Sequence, residues 1–372
     1  MALHGEYLAR PTYTFLHTIG EGSAGVCKVA NHELFGGLVV QKTISLLGIP
    51  DAIARSEPRL LKNAQHEHIV EIWEAQFDPD NPAIKAVTFV TTYYAGGSIY
   101  DAMVEQHPFS TNESIGLIKG VLEALEFLHG TKRILHRDIK PANVLLNDIR
   151  DFSYVGDLGS AASMAQDGTA RAEAGSPLYA PPEYVTGTID ARADLYSTGV
   201  ILLELLNGRF PYESLDRDKI DQRLAKGQRS LPDKYFKPAP WVPRSVSACM
   251  RNLVSADPDE RYASAAEALR HLNRLSYVSW QRTVGADLAG QWQGRWPASA
   301  RMERTRQVHV TVEPITNGRY KGMLSASAEH RVGTKPWRGY AKLTRRIGAD
   351  DATALSAFFR DVEAAAQAMA VR

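Results

Sequence analysis

The stretch ILHRDIKPANVLLND, Ile134 to Asp148, sets a His, an Asp, a Lys and an Asn within eight residues, between two aliphatic runs. Apolar flanks anchor such a segment in an interior. Buried polar groups are costly unless they are paired, so these four are expected to converge on a common task.

Bulk properties narrow the setting. The chain has 372 residues, enough for two or three domains, with 44% hydrophobic and 23% charged residues, a globular profile. No run approaches the roughly 18 apolar residues of a membrane span; the greasiest piece is GVILLELL, Gly199 to Leu206. The N-terminal MALHGEYLARPTYTF lacks the basic start and apolar block of a secretory signal. Cys27 and Cys249 form neither a metal spacing nor a disulfide framework, so a reducing cytoplasm is expected. Net charge is +1, but residues 276–372 carry 15 Lys+Arg against 8 Asp+Glu, leaving the rest of the chain acidic. That asymmetry suggests two units with different partners.

Along the chain, YTFLHTIG and VCKVANHELFGGLVVQKTI read as strands, with a hairpin broken at Phe35-Gly36-Gly37. SEPRLLKNA reads as helix, followed by short strands near Val70–Ala75 and Ala86–Thr92. From Ser114 the pattern turns helical: Ile115, Ile118, Val121, Leu122, Leu125 and Leu128 recur at helix spacing, and Gly130 is the expected stop. After about Leu275 the texture changes. Val308, Val310 and Val312 alternate, Asn317-Gly318 signals a two-residue hairpin, and RGYAKLTR reads as another strand. A final amphipathic helix is expected, capped by Asp350 or Asp351, with Leu355, Phe358, Phe359, Val362 and Met369 on one face.

GEGSAG, Gly20 to Gly25, fits G-x-G-x-x-G, a weak signal alone. A dinucleotide fold needs a helix after the glycines, and here a strand follows. A flap between antiparallel strands, its backbone N–H groups over phosphates, fits better; an ordinary Gly-rich hairpin is the bland reading. Lys42 ends the run GLVVQK. An ammonium there can neutralise phosphate oxygens and needs a carboxylate to hold it, for which Glu57 is the natural candidate.

HRDIKPAN, His136 to Asn143, closely resembles the catalytic loop of eukaryotic-type protein kinases. Over about Tyr13 to Leu275 the resemblance is carried by GEGSAG, VVQK, Glu57, HRDIKPANVLL, DLG (Asp157 to Gly159), GSPLYAPPE (Gly175 to Glu183), DLYSTGV (Asp194 to Val200) and Arg261 in DPDERY. It implies an α+β, bilobal protein-kinase fold: a β-rich N-lobe over residues 1–94, a helical C-lobe over 95–275, then a basic accessory α+β domain over 276–372. The implied activity is transfer of the γ-phosphate of ATP, with Mg2+, to Ser or Thr hydroxyls of a protein substrate; Lys140-Pro141 after the Asp resembles Ser/Thr rather than tyrosine kinases. Such chemistry asks for positioning and charge neutralisation more than covalent work.

By the same resemblance Asp138 orients the substrate hydroxyl, Lys140 meets the transferring phosphate, Asn143 and Asp157 hold the metal, and Lys42 grips the phosphates while paired with Glu57. Gly20, Glu21, Gly22 and Gly25 form the flap, and Cys27 stands over the adenine where Val is usual. Thr91 guards the back pocket, and the linker Thr92-Tyr93-Tyr94 reads the base edge. His136 and Asp194 brace the catalytic loop, and Glu183 and Arg261 form a buried ion pair. The competing class is a nucleotide-binding pseudokinase acting as a scaffold through the tail.

Three departures matter. Pro58 directly follows Glu57, so either it sits in the first helical turn, where Pro is tolerated, or the helix kinks. Either way Glu57 is expected to be less secure than usual, its contact with Lys42 depending on nucleotide or a partner. DLG replaces the commoner Asp-Phe-Gly, and PPE replaces Ala-Pro-Glu. Arg137 resembles the arginine of kinases whose activation loop is ordered by phosphate, with Thr169 the favoured phosphosite, Ser163 second, and Ser176 a support for the substrate loop. In the tail, residues 295–346 hold 12 Lys+Arg and 3 Asp+Glu, interleaved with Trp296, Tyr320, Trp337 and Tyr340. Nucleic acid or a docking partner could use such a face, as could the acidic body of the chain itself. The favoured reading is a small β unit with its aromatics in the core and its charges in water.

Overall fold

Period-two patterning builds the first sheet of the computed structural model, which describes residues 13–22, 25–34, 36–45, 56–77, 86–173, 175–296 and 305–368. Its strands are β1 (Tyr13–Gly22), β2 (Gly25–His32), β3 (Leu38–Ser45), β4 (Ile72–Phe77) and β5 (Ala86–Thr92), antiparallel in the order β1-β2-β3-β5-β4. Gly25 is required where it stands: φ is 111°, and a Cβ would come 2.3 Å from the Thr43 carbonyl oxygen. The flap tip, Ser23-Ala24, and Phe35 of the expected hairpin lie outside the described residues. Helix α1 (Ser56–Asn63) follows β3 in sequence and buries Glu57, Pro58 and Leu61. Pro58 falls in its first turn, the position Pro tolerates.

The middle of the chain is helical. Ser98 and Asp101 form a capping box on α2 (Ile99–Val104), and Ser110 and Glu113 form another on α3 (Thr111–Glu126). Helix α3 buries Ile115, Ile118, Val121, Leu122 and Leu125 at 0–1% exposure, as their spacing predicts. It does not stop at Gly130. The chain continues as a π-helical turn, Phe127–Lys132, and ends at Arg133, whose φ is 55° and whose N–H donates to Leu128 O. GVILLELL lies in α4 (Ala191–Asn207), a helix buried on every side from Ala193 to Leu206. Its greasiness is that of a central core helix, and no helix among the described residues is long and apolar enough to cross a membrane. Helices α5 (Arg217–Leu224), α6 (Arg244–Leu253) and α7 (Ala265–Asn273) complete this part.

Short strand pairs pin the loops between these helices. Strand β6 (Ile134–Leu135) pairs with β9 (Ala162–Ser163), β7 (Val144–Leu146) with β8 (Ser153–Val155), and β10 (Ala170–Arg171) with β11 (Thr188–Ile189). The first two pairs hold the flanks of the opening stretch, which is why its aliphatics are needed.

A second sheet is a sequential antiparallel meander of β12 (Ser279–Val284), β13 (Gly290–Trp296), β14 (Arg306–Pro314), β15 (Met323–Val332) and β16 (Arg338–Gly348). Val308, Val310 and Val312 face its own core, with Trp280, Trp292 and the Leu355, Phe358, Phe359 and Val362 face of α8 (Ala352–Ala368). Asp351 caps α8 through the Ala354 N–H at 2.8 Å; Met369 lies outside the described residues. Asn317-Gly318 is not a two-residue hairpin. β14 and β15 are joined over residues 315–322, with Gly318 at φ 79° inside that longer loop. The aromatic expectation holds in part: Trp296 and Tyr340 pack against this core, but its fully buried rings are Trp280, Trp292, Phe358 and Phe359, and Trp337 is 39% exposed.

This unit is fastened to the helical part. Thr111 Oγ1 donates to Trp280 O and accepts from Trp280 N, both at 3.2 Å, and Asn112 N donates to Ser279 Oγ at 3.0 Å. Trp241 stands 5.3 Å from Trp292, and the Arg282 guanidinium lies 4.8 and 5.1 Å from the two rings. No ion pair crosses this junction among the described residues, so the contact is aromatic and hydrogen-bonded rather than acidic against basic.

Candidate active site

Strand register assembles the first half of the site. Gly20 pairs with Cys27, Cys27 with Lys42, and Lys42 with Phe89 across β1, β2, β3 and β5. Directly opposed residues share a face, so Cys27, Lys42 and Phe89 form one row. Two residues along, Val29, Val40 and Thr91 form the next. Thr91 is buried, and Thr92 closes β5 with its Oγ1 accepting from Trp73 Nε1 at 3.0 Å. The Tyr94 ring packs tilted against Tyr154 at 4.2 Å, its hydroxyl 3.4 Å from Glu71 N. The backbones of Glu21 and Gly22 close β1, paired with Val26 and Gly25.

Lys42 is the electrostatic centre. Its Nζ donates to both Glu57 oxygens at 2.9 Å and to Asp157 Oδ1 at 3.0 Å. The chain's own residues make this contact, which overturns the expectation of an insecure Glu57: Pro58 in the first turn leaves the helix intact, and Glu57 is only 3% exposed. Burial would discharge Lys42, but the two carboxylates outweigh it and raise its pKa. Burial likewise pushes Glu57 up, to about 7, against the pull of Lys42. Asp157 ends below the usual carboxylate range, because the Lys42 ammonium overrides its burial.

The opening stretch supplies the second half. Lys140 Nζ donates to Asp138 Oδ2 at 2.7 Å, and Asn143 Nδ2 donates to Asp138 O at 2.8 Å and Oδ2 at 3.2 Å. The Asn143 backbone carbonyl accepts from Gly156 N at 2.9 Å, and its side-chain Oδ1 is the acceptor left for a ligand. His136 and Arg137 both donate backbone N–H groups to the Asp194 carboxylate at 2.9 Å, and a ring nitrogen of His136 lies 2.9 Å from Gly156 O. Burial alone would raise the Asp194 pKa; His129 at 2.7 Å and these donors hold it low. Arg137 and Asp157 both take left-handed backbone, φ 66° and 56°, a conformation that costs energy outside glycine and clusters at functional sites.

Two contributors, His129 and Tyr184, are absent from the motif reading, and a third, Ser176, was expected only to support the substrate loop. Ser176 Oγ donates to Asp138 Oδ1 at 2.8 Å and accepts from Lys140 at 3.0 Å, so it touches the centre itself. His129 supports Asp194, and the Tyr184 hydroxyl donates to Arg137 O at 3.0 Å. Each lies in a different element, and only folding brings them in. Arg261 meets Glu183 in a two-pronged pair at 2.6 and 2.7 Å, its side chain fully buried. Arg137 does not reach the favoured phosphosites: its guanidinium donates to the carbonyls of Ser160 (2.6 Å) and Arg171 (2.8 Å). Thr169 Oγ1 bonds Asp167 Oδ1 at 2.7 Å, and Ser163 sits on β9.

Comparison with known proteins decides the family. Residues 13–272 match the protein kinase domain. The chain belongs to the protein kinase domain family. This kinase chain is 30% identical over 255 residues to "Sucrose non-fermenting protein kinase 1" of Fusarium virguliforme, covering 67% of this chain and 34% of that protein. It is 29% identical over 255 residues to "SNF1-like protein kinase ssp2" of Schizosaccharomyces pombe (strain 972 / ATCC 24843), covering 67% of this chain and 42% of the relative. The chain thus spans about a third to two-fifths of the length of these curated relatives. The family implies ATP and typically a divalent metal. The donor set fits: Asp157 and Asn143 offer a carboxylate and a carboxamide oxygen, the hard ligands such a cation takes.

Proposed function

We propose that this chain is a Ser/Thr protein kinase that transfers the γ-phosphoryl group of Mg-ATP to protein hydroxyls. One observation carries the reading: the Lys42 ammonium is held by Glu57 and Asp157, on the sheet face that carries Cys27 and Phe89. In this reading Lys42 steers the α/β-phosphates, the Gly20–Gly25 flap covers them, and Cys27, Thr91, Thr92 and Tyr94 border the base. Asp157 and Asn143 would hold Mg2+, which supplies charge neutralisation at the phosphates. Asp138 orients the acceptor hydroxyl and takes its proton, while Lys140 neutralises the phosphoryl oxygens. Ser176, bonded to both Asp138 and Lys140, fixes the rotamers of that pair. His136, Asp194, Glu183 and Arg261 hold the frame. Thr169, then Ser163, are proposed autophosphorylation sites.

The division into lobes at residues 1–94 and 95–275 and an accessory domain at 276–372 belongs to the same proposal. It is supported by a separate hydrophobic core that begins at Val278. Two free thiols, Cys27 and Cys249, suit a reducing cytoplasm. Nucleic acid or a docking partner on the accessory domain gains no support from the contacts, because several of its cations have internal partners: Arg346 lies over Tyr320, Arg331 over Trp337, and Arg345 pairs with Asp361. The test of the main reading is phosphoryl transfer from labelled ATP to matched Ser, Thr and Tyr peptides. Transfer to Ser and Thr, lost by about 10²–10⁴-fold in Asp138→Asn, is expected. Nucleotide binding with no transfer above the variant would favour the scaffold alternative.

A further inference from the structure

Between α1 and β4 the sequence runs His66-Glu67-His68, and none of these residues belongs to the candidate active site described above. His68 is nearly buried at 7% exposure. Its ring stacks on Phe152 at 4.2 Å and 12°, and packs against Gly120, where a Cβ would come 2.5 Å from Nδ1. The backbone is equally fixed: Val155 N donates to His68 O at 2.8 Å, and His68 N donates to His66 Nδ1 at 3.1 Å.

This packing decides the tautomer. His68 Nδ1 lies 2.8 Å from Ser153 O. A carbonyl only accepts, so Nδ1 carries the proton. Nε2 then points at Glu123 Oε2, 3.1 Å away on α3. Glu67 adds a second carboxylate, and the ligand atoms of all three residues lie within 4.8 Å of one another. In the neutral ring the Nε2 lone pair faces the Glu123 carboxylate, with a Glu67 oxygen within 4.8 Å, and a cation held between these atoms would relieve the repulsion. Lys119, one turn earlier on α3, acts on Glu123 through space, but no Lys or Arg forms a direct ion pair with Glu67 or Glu123 among the described residues.

We propose that Glu67, His68 and Glu123 form a binding site for a divalent transition-metal cation, Zn2+ by its donors, joining the segment after α1 to α3. One nitrogen with two carboxylate oxygens suits Zn2+ and not Mg2+. Two ligands each about 2.0–2.1 Å from a tetrahedral Zn2+ stand roughly 3.3 Å apart, close to the observed 3.1 Å. The Nδ1–H bond to a backbone carbonyl is the outer-shell arrangement that orients metal-binding histidines. Glu67 is exposed and closes the site by a rotamer change, with water completing the shell. The ion would staple the chain directly behind the helix that carries Glu57.

The site is tested by titrating the chelator-stripped full chain with Zn2+ against a competing zinc indicator. The exposed-end variants Glu67→Gln and Glu123→Gln spare the buried ring and should fold. Wild type is expected to take one equivalent, and each variant to weaken it by about 10-fold or more. Crystals soaked in Zn2+ should give an anomalous peak among the three side chains. Zn2+ affinity unchanged in both variants, a peak elsewhere only, or no uptake by wild type would overturn the proposal, leaving an imidazolium–carboxylate pair in its place.

Discussion

Single residues of the candidate site divide into those that the proposed transfer would use and those that hold them in place. Arg261 is of the second kind. Its guanidinium is fully buried, bonded to both Glu183 oxygens and to the carbonyls of Ser255 and Arg192. Removing one partner of such a pair strands a buried charge and costs about 3–5 kcal/mol. Arg261→Ala is therefore expected to lower the urea midpoint sharply, with residual activity falling in step with the folded fraction; lost activity at an unchanged midpoint would contradict that role. Ser176→Ala behaves differently. It removes one bond to Asp138 and one from Lys140 on a half-buried side chain, so kcat should fall while the midpoint stays within about 1 kcal/mol. Lys42, Glu57, Asp138, Asn143 and Asp157 were legible because each stands in an ordered motif. Ser176 was read only as a loop support, because its bond to Asp138 spans 38 residues.

Elements show where local signals suffice. The capping boxes Ser98/Asp101 and Ser110/Glu113 and the apolar spacing of α3 specify helices without tertiary help. Gly130 misled because a glycine permits a helix end but does not enforce one; the turn closes at Arg133 instead. Asn317-Gly318 misled in the same way, supplying a turn inside a longer connection. Gly199 marks the closest approach of α4 to the end of α6. A Cβ there would come 2.5 Å from Leu253 Cβ and 2.8 Å from Val254 Cγ1. Gly199→Ala is expected to destabilise by about 1–3 kcal/mol through overpacking, seen as a lower midpoint with unchanged slope. A neutral or stabilising result would mean that the two helices can part at no cost.

At the scale of the whole molecule, two hydrophobic cores meet across Thr111, Trp241, Trp280 and Trp292. Trp280 links them to α8, where its Nε1 donates to Glu363 Oε1 at 3.1 Å. Burial pushes the Glu363 carboxyl up to about 7, against the opposing effect of that bond. The folded pKa lies above the ordinary 4.5, so the folded state binds the proton more tightly than the unfolded state. This contribution to stability is full below about pH 4.5 and is lost as pH rises through about 7. Thermal unfolding followed by tryptophan fluorescence should therefore give a melting temperature that drops between pH 5 and 8. Glu363→Gln should flatten that drop, and an identical slope in the variant would refute the assignment.

The sequence by itself determined the family, the order of a β-rich part and a helical part, and which charged groups meet in the candidate site. Those depend on ordered motifs and on local periodicity, which short-range sterics and burial impose. Tertiary structure alone decided that Pro58 leaves Glu57 on Lys42, that Arg137 donates to carbonyls, and that His68 turns one nitrogen toward Glu123. Each of these outcomes is set by which atoms from distant segments fill the remaining hydrogen-bonding positions, and that competition is resolved only when the chain has packed.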